Sequence, residues 1–145
     1  MPGSGLSRHE QIADRLHSAA IHLLRRVRVQ DAASGISPAR LSALSVVVFG
    51  GPVSLRDLAR AEQVRPPTMS RIVDALEAAR LVRRKVNDKD RRAVLIEATG
   101  KGTTLLKEGR RRRVKVLAAD LVRLSAGELG SLEQALEAIG KIMAE

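Results

Sequence analysis

Residues 66–71 combine two prolines, two hydroxyl side chains and an arginine in a pattern suited to contact with nucleic acid. Arg71 can donate two hydrogen bonds to one base edge in a major groove, and small neighbours let a helix approach that edge closely. We therefore predict that Arg71 contacts a base edge, with guanine as one candidate. Thr68 and Ser70 are predicted to contact bases or phosphates, and Pro67 to add an apolar contact.

A second charged segment, residues 87–92, lies between two stretches rich in branched and long side chains, residues 81–86 and 93–98. This pattern predicts a β-hairpin with a charged tip in solvent. Such a tip can insert an arginine into a narrow minor groove, where the negative potential is strongest. We predict that Arg92 enters the minor groove and that Lys89 and Arg91 contact phosphates. In the opposing interpretation, Arg71 and Arg92 are solvated charges that only aid solubility.

Two short helices are predicted to position the first cluster. Ser54 precedes Asp57 at capping-box spacing, which predicts a helix that runs to about Ala61. Pro66 and Pro67 suit the start of a second helix, because their φ is already helical and their missing N–H groups need no partner there. The buried face of this helix is predicted from three- and four-residue spacing and comprises Met69, Ile72, Val73 and Leu76.

Four stretches in this region match the motifs of one protein family in order: residues 68–77 (TMSRIVDALE), residues 81–84, the run Asp90-Arg91-Arg92-Ala93, and the pair Thr99 and Gly102. They resemble the recognition helix, the wing entry, the wing signature and the closing Thr-x-x-Gly of the MarR family of bacterial transcription regulators. In that wing signature the residue equivalent to Asp90 orients the arginine two positions later toward DNA. Arg80, where a glycine is usual, and Ala98, where a leucine is usual, depart from the pattern.

The resemblance implies a mainly α fold with a small β-hairpin wing, a winged helix-turn-helix plus N- and C-terminal dimerisation helices. Residues 1–36 would form the N-terminal dimerisation helix, residues 37–99 the DNA-binding domain, and residues 100–145 the C-terminal linker and dimerisation helices. It also implies a homodimer that binds double-stranded DNA at a palindromic operator, more often as a repressor. Many relatives bind a small anionic effector, often aromatic. Phe49 is the single aromatic residue here, so any such anion would be held by arginines and apolar side chains.

The terminal segments are predicted to form amphipathic helices. Residues 6–29 carry one apolar seam, and Ser37-Pro38 begins a further helix that stops at Gly50-Gly51. A long helix is predicted from Thr99 or Gly100 to Leu124, followed by one capped by Ser125 and Glu128. The seam of this last helix consists of Leu129, Leu132, Leu136, Ile139 and Met143. Such a seam packs either against a second copy or within the same chain, and both alternatives stay open.

Charge and composition restrict the function further. Twenty-six Lys and Arg against sixteen Asp and Glu give a net charge of +10, which favours a polyanionic partner. The chain contains no cysteine, which excludes disulfides, thiolate metal sites and thiol-based redox sensing within it. No stretch of about 18 apolar residues is present, so the expected location is cytoplasmic, without a membrane partner.

The sequence carries no recognisable enzymatic or metal site, and we expect neither a catalytic residue nor a cofactor. Residues 100–103 lack the order of a phosphate-binding loop, and His9, His17 and His22 lack the spacing of shared metal ligands. The four arginines 110–113 are either a phosphate-contacting or pocket-lining cluster or a solvated helical turn. Two functions remain: a homodimeric sequence-specific regulator, and a winged-helix interaction module or nonspecific DNA-coating protein.

Overall fold

The computed structural model describes residues 5–144, which form six α-helices and a three-stranded sheet. The helices are α1 (Arg8–Arg28), α2 (Pro38–Gly50), α3 (Leu55–Ala61), α4 (Pro66–Ala78), α5 (Gly100–Leu121) and α6 (Ala126–Met143). The strands are β1 (Val53–Ser54), β2 (Val82–Val86) and β3 (Val94–Ala98). A 3₁₀ helix, Val29–Ser34, fills most of the polar segment between α1 and α2 and ends at Gly35, whose φ is 74°. The mainly helical fold with a β wing is therefore confirmed.

Local hydroxyl caps determine where most helices begin. Ser7, Ser37, Ser54, Thr99 and Ser125 each accept a hydrogen bond from a backbone amide in the first turn of α1, α2, α3, α5 and α6. These bonds satisfy donors that have no partner within the helix. Helix α4 has no side-chain cap and instead begins at Pro66, as its sequence predicts. Helix α5 ends at Leu121, three residues before the predicted Leu124.

The sheet contains one strand more than the predicted hairpin. Its strand order is β1-β3-β2, with both neighbouring pairs antiparallel. The hairpin of β2 and β3 pairs Val82 with Ala98 and Val86 with Val94. Strand β1 adds only two residues, Val53 and Ser54, which pair with Ile96 and Leu95. It ties the start of the helix-turn-helix to the base of the wing.

The hydrophobic core lies where α2, α3, α4 and α5 meet the base of the wing. Its fully buried large side chains are Leu44, Val47, Leu58, Met69, Val73, Leu76, Leu81, Val82 and Ile96. The buried face predicted for α4 is confirmed at Met69, Val73 and Leu76, while Ile72 is half-buried at the edge of the core. This packing holds α4 by one side and leaves its other side free.

The terminal helices keep their apolar seams outside this core. On α1, Ile12, Leu16 and Leu23 are exposed, and on α6 Leu136 and Met143 are exposed. The predicted capping box of α6 is present, because Ser125 and Glu128 bond reciprocally. Within residues 5–144 the seam of α6 is thus largely exposed, an arrangement that favours a partner surface over a purely intramolecular bundle.

An ion pair joins α1 to α5. Arg26 donates two hydrogen bonds to the Asp120 carboxylate, and the Nη2–Oδ1 distance is 2.7 Å. These bonds lower the pKa of Asp120 below its ordinary value and raise that of Arg26.

Within residues 5–144 no single helix is long and apolar enough to span a membrane, although α1 with its 3₁₀ extension and α2, bent by 90°, together have the length and composition for it.

Candidate nucleic-acid interface

The free side of α4 presents the residues that the sequence predicts for base contact. Pro67, Thr68 and Arg71 are exposed, and Ser70 is half-buried. Met69, between Thr68 and Ser70, is fully buried, so its packing fixes the rotation of the helix about its own axis. The short side chains lie at the N-terminal end of α4, and Arg71 lies one turn further along. This end of the helix can enter a major groove without a bulky side chain in the way.

The wing tip is exposed and has its own hydrogen bonds. Lys89, Asp90, Arg91 and Arg92 are all exposed. The Asn87 side chain accepts a hydrogen bond from the Lys89 amide at 3.0 Å, and the Asp90 carboxylate accepts one from the Arg92 amide, also at 3.0 Å. Asp90 therefore fixes the backbone that carries Arg92, while the orientation of this arginine toward DNA stays a prediction.

A tight turn sets the position of the wing relative to α4. Arg80 adopts φ 60°, so the glycine usual at this position is not required for the left-handed turn to form. The Thr99 hydroxyl donates to the Arg80 carbonyl at 2.7 Å, and the Lys101 ammonium donates to the Ala79 carbonyl at 2.9 Å. Gly102 packs directly on the Leu81 backbone. The Thr-x-x-Gly motif thus fixes the end of α4 as well as starting α5.

Arg84 contributes a contact that the sequence analysis missed. It lies on β2 and forms ion pairs with two carboxylates of α4, Asp74 and Glu77. Asp74 and Glu77 are three residues apart and so share one side of the helix, but nothing in their spacing indicates that a strand residue ten positions beyond Asp74 reaches them. Arg83 has a different partner, Glu97 of β3, at 2.7 Å.

A cavity of about 840 Å³ lies between α1, the 3₁₀ helix, α2 and α5. Its apolar walls include Leu24, Val27, Ile36, Leu41, Phe49 and Leu106. Its charged side chains are Arg28, Asp31, Arg110 and Arg113. Arg113 pairs with Asp31 at 2.5 Å. Two of the four consecutive arginines therefore line a cavity, and Arg112 lines a second, smaller one of about 310 Å³.

Histidines and acidic residues do not converge on a metal site in the part of the chain that the structure describes. His9, His17 and His22 are exposed along α1, and the ring of His22 bonds to the Ser18 carbonyl. Within residues 5–144 no group of three or more His, Asp or Glu side chains could hold a metal ion.

Comparisons with known proteins agree with this geometry. The model of the MarR family matches residues 34–93. An HTH-type transcriptional regulator of Mycobacterium leprae is 31% identical over 93% of this chain and 94% of its own length. An HTH-type transcriptional repressor of Bacillus subtilis, MdtR, is 28% identical over 66% of this chain and 61% of its own length.

A solved transcriptional regulator from Thermotoga maritima superposes with a TM-score of 0.83 at 22% identity and covers 92% of this chain and 94% of its own. This likeness supports the fold, and the sequence relatives support the assignment as a regulator of transcription. The MarR family consists of regulators of transcription, which are not enzymes. The chain therefore belongs to the MarR family of DNA-binding transcriptional regulators.

Proposed function

We propose that the protein is a homodimeric, sequence-specific repressor that binds a palindromic operator through α4 and the wing. The observation that carries this proposal is the division of α4 into a fully buried side and an exposed side with Pro67, Thr68 and Arg71. We assign base contact to Arg71, base or phosphate contact to Thr68 and Ser70, and an apolar contact to Pro67. In the wing we assign Arg92, on a backbone fixed by Asp90, to the minor groove, and Lys89 and Arg91 to phosphates.

The exposed apolar seams of two helices, α1 and α6, support the homodimer. The exposed apolar seams of α1 and α6 need a partner surface, and a second copy provides two such seams related by a twofold axis. We therefore propose that residues 1–36 and 100–145 include the dimerisation helices and that residues 37–99 bind DNA. Half-sites would then lie about 34–36 Å apart, one turn of DNA. Repression rather than activation is supported by the Bacillus subtilis relative MdtR, which is a transcriptional repressor. We place its action in the cytoplasm, with the DNA it regulates.

We also propose that a small anionic effector binds in the 840 Å³ cavity and releases the operator. The arginines of its wall can bind a carboxylate, and its aliphatic side chains can cover an apolar body. Titration of aliphatic and aromatic monocarboxylates into the protein–operator complex tests this, with Arg110→Gln as the variant that weakens the response. An unchanged complex with every acid would remove effector release from the proposal.

Selection of bound fragments from a random duplex pool at physiological salt tests the DNA-binding proposal. Arg71→Ala should cost about 1–3 kcal/mol and relax one position in each half-site, whereas Lys89→Ala should weaken all sequences alike. Arg123→Ala, which removes an exposed arginine from the turn after α5, is the matched control. Strong binding without any enriched motif would instead establish the nonspecific DNA-coating protein or interaction module, because a binder that relies only on charge shows little sequence preference.

A further inference from the structure

The recognition helix α4 carries two carboxylates beside the wing. Asp74 and Glu77 are three residues apart, so they project from the same side of the helix. Arg84 of β2 lies between them: its Nη2 donates to Asp74 Oδ1 at 2.7 Å and its Nη1 donates to Glu77 Oε2. The two ends of one guanidinium therefore bind two different residues of α4, which fixes the direction of the strand more closely than a single contact would.

The wing has few other attachments to α4. Among the strands of residues 5–144, β2 lies at the edge of the sheet and pairs only with β3, and of its five residues only Val82 is buried. The side chains from Arg83 to Val86 are exposed. Among residues 5–144, both ion pairs between the hairpin and α4 are made by Arg84. The hairpin is also held through β3, whose Ile96 is buried in the core and pairs with Val53 of β1. Arg84 adds to this anchor a direct side-chain link between the wing and α4.

The same contact neutralises acidic side chains on the helix that approaches DNA. Asp74 and Glu77 would otherwise repel phosphates. The hydrogen bond to Asp74, with the charge of Glu77 nearby, raises the pKa of Arg84 above its ordinary value. Like arginine side chains in general, Arg84 is positively charged at neutral pH.

We propose that Arg84 is a positioning residue that holds the wing at a fixed angle to α4, so that the wing tip and the N-terminal end of α4 meet DNA at a fixed separation. The proposal rests on the proposed function in that the wing and α4 both bind DNA. The angle between the wing and α4 is a property of the free protein and can be measured without DNA.

Arg83 provides a matched control. It is the preceding residue on the same strand, it is exposed, and it pairs with Glu97 of the neighbouring strand rather than with α4. Arg83→Gln and Arg84→Gln change the net charge equally and alter one ion-pair group each. A difference between them therefore reports the contact with α4.

The experiment measures the distance between two spin labels in the free protein. The chain has no native cysteine, so Ala78→Cys on α4 and Asp88→Cys at the wing tip can be labelled cleanly. Asp88 lies six residues beyond Val82, or about 20 Å at about 3.3 Å per extended residue. A distance of this size between the labels on α4 and the wing tip is within range of pulsed electron resonance. Labelled protein is mixed with an excess of unlabelled protein, so that pairs within one chain dominate. We expect a narrow distance distribution with the native Arg84 and with Arg83→Gln, and a broader one with Arg84→Gln.

Affinity for the selected operator, or for a fixed random duplex if none is found, provides the second measurement. Arg84→Gln should bind about threefold to tenfold more weakly than Arg83→Gln, because only Arg84→Gln removes the link to α4 and leaves the angle of the wing to be fixed on binding. Arg84→Lys, which keeps the charge but binds one carboxylate at a time, should give an intermediate distance distribution. Equal widths for Arg83→Gln and Arg84→Gln would overturn the proposal, even if Arg84→Gln alone lost affinity, because that result would assign the effect to charge. Absence of an operator would contradict the proposed function but leave the distance result intact.

Discussion

Replacement of Gly102 by alanine tests how closely α5 must approach the base of the wing. A Cβ at this position would lie 2.1 Å from the Leu81 carbonyl oxygen and 3.2 Å from Leu44 Cδ1. Ordinary contact begins at 3.4 Å, so α5 and the Leu81 backbone would have to separate by more than 1 Å. The Leu81 carbonyl also accepts the Thr99 amide at 3.0 Å, and this bond would be strained by the same movement.

The expected cost follows from three contributions. Overpacking against backbone costs about 3 kcal/mol, at the upper end of the usual range. Loss of one hydrogen bond adds about 1 kcal/mol. The better helix propensity of alanine returns up to about 1 kcal/mol. The free energy of unfolding should therefore fall by about 3 kcal/mol, and the Tm by roughly 6–12 °C for a chain of this size.

Thermal and urea unfolding followed by circular dichroism, at one protein concentration, measure this change. Gly100→Ala is the matched control, because Gly100 lies in the same helical turn and has no atom within 4 Å of its added Cβ. Its Tm should stay the same or rise slightly. A Gly102→Ala protein as stable as the native protein would refute the reasoning, since it would mean that α5 can move away from Leu81 without cost.

Three further changes have expected outcomes. Arg80→Gly should raise the free energy of unfolding by about 0.5–1 kcal/mol, seen as a higher urea midpoint, because Arg80 holds a left-handed φ that glycine adopts freely; no gain would show that this turn is unstrained. Helicity should fall in acid: serine hydrogen bonds lower the pKa values of Glu10 and Glu128, so their stabilisation is complete above the ordinary value of 4.5 and is lost as pH drops through the lowered values. Glu128→Gln should flatten that pH profile, and an unchanged profile would contradict the role of this cap. Leu136→Glu should shift sedimentation from dimer to monomer, while Gln134→Glu on the opposite side of α6 should not; equal behaviour would exclude the α6 seam from the dimer interface.

The helix boundaries follow from local sequence, because capping depends on residues within three or four positions of one another. Ser37, Ser54, Thr99 and Ser125 each cap the predicted helix. The exposed side of α4 could be predicted for the same reason, since its buried spacing identifies the remaining positions as free. The contacts of those positions with DNA remain a proposal.

Other features depend on how distant elements pack, and the sequence patterns carry no signal for them. Asp31 and Arg113 are 82 residues apart and meet only because the 3₁₀ helix lies against α5. Strand β1 is two residues long, too short for a periodic pattern, and its partners lie on β3 more than 40 residues later. The contact of Arg84 with α4 likewise requires the turn at Arg80 to bring β2 back along the helix.

The hydrogen bonds of the wing tip have a consequence for the entropy of binding. Four backbone amides of residues 87–93, those of Asn87, Lys89, Arg92 and Ala93, bond within this segment, which comprises the tip and the residue after it. Ordering a flexible backbone costs about 1–2 kcal/mol per residue, so a disordered tip of six residues would lose roughly 6–12 kcal/mol on meeting DNA. Here the chain loses that freedom when it folds. On binding, only the rotamers of the arginine and lysine side chains remain to be ordered.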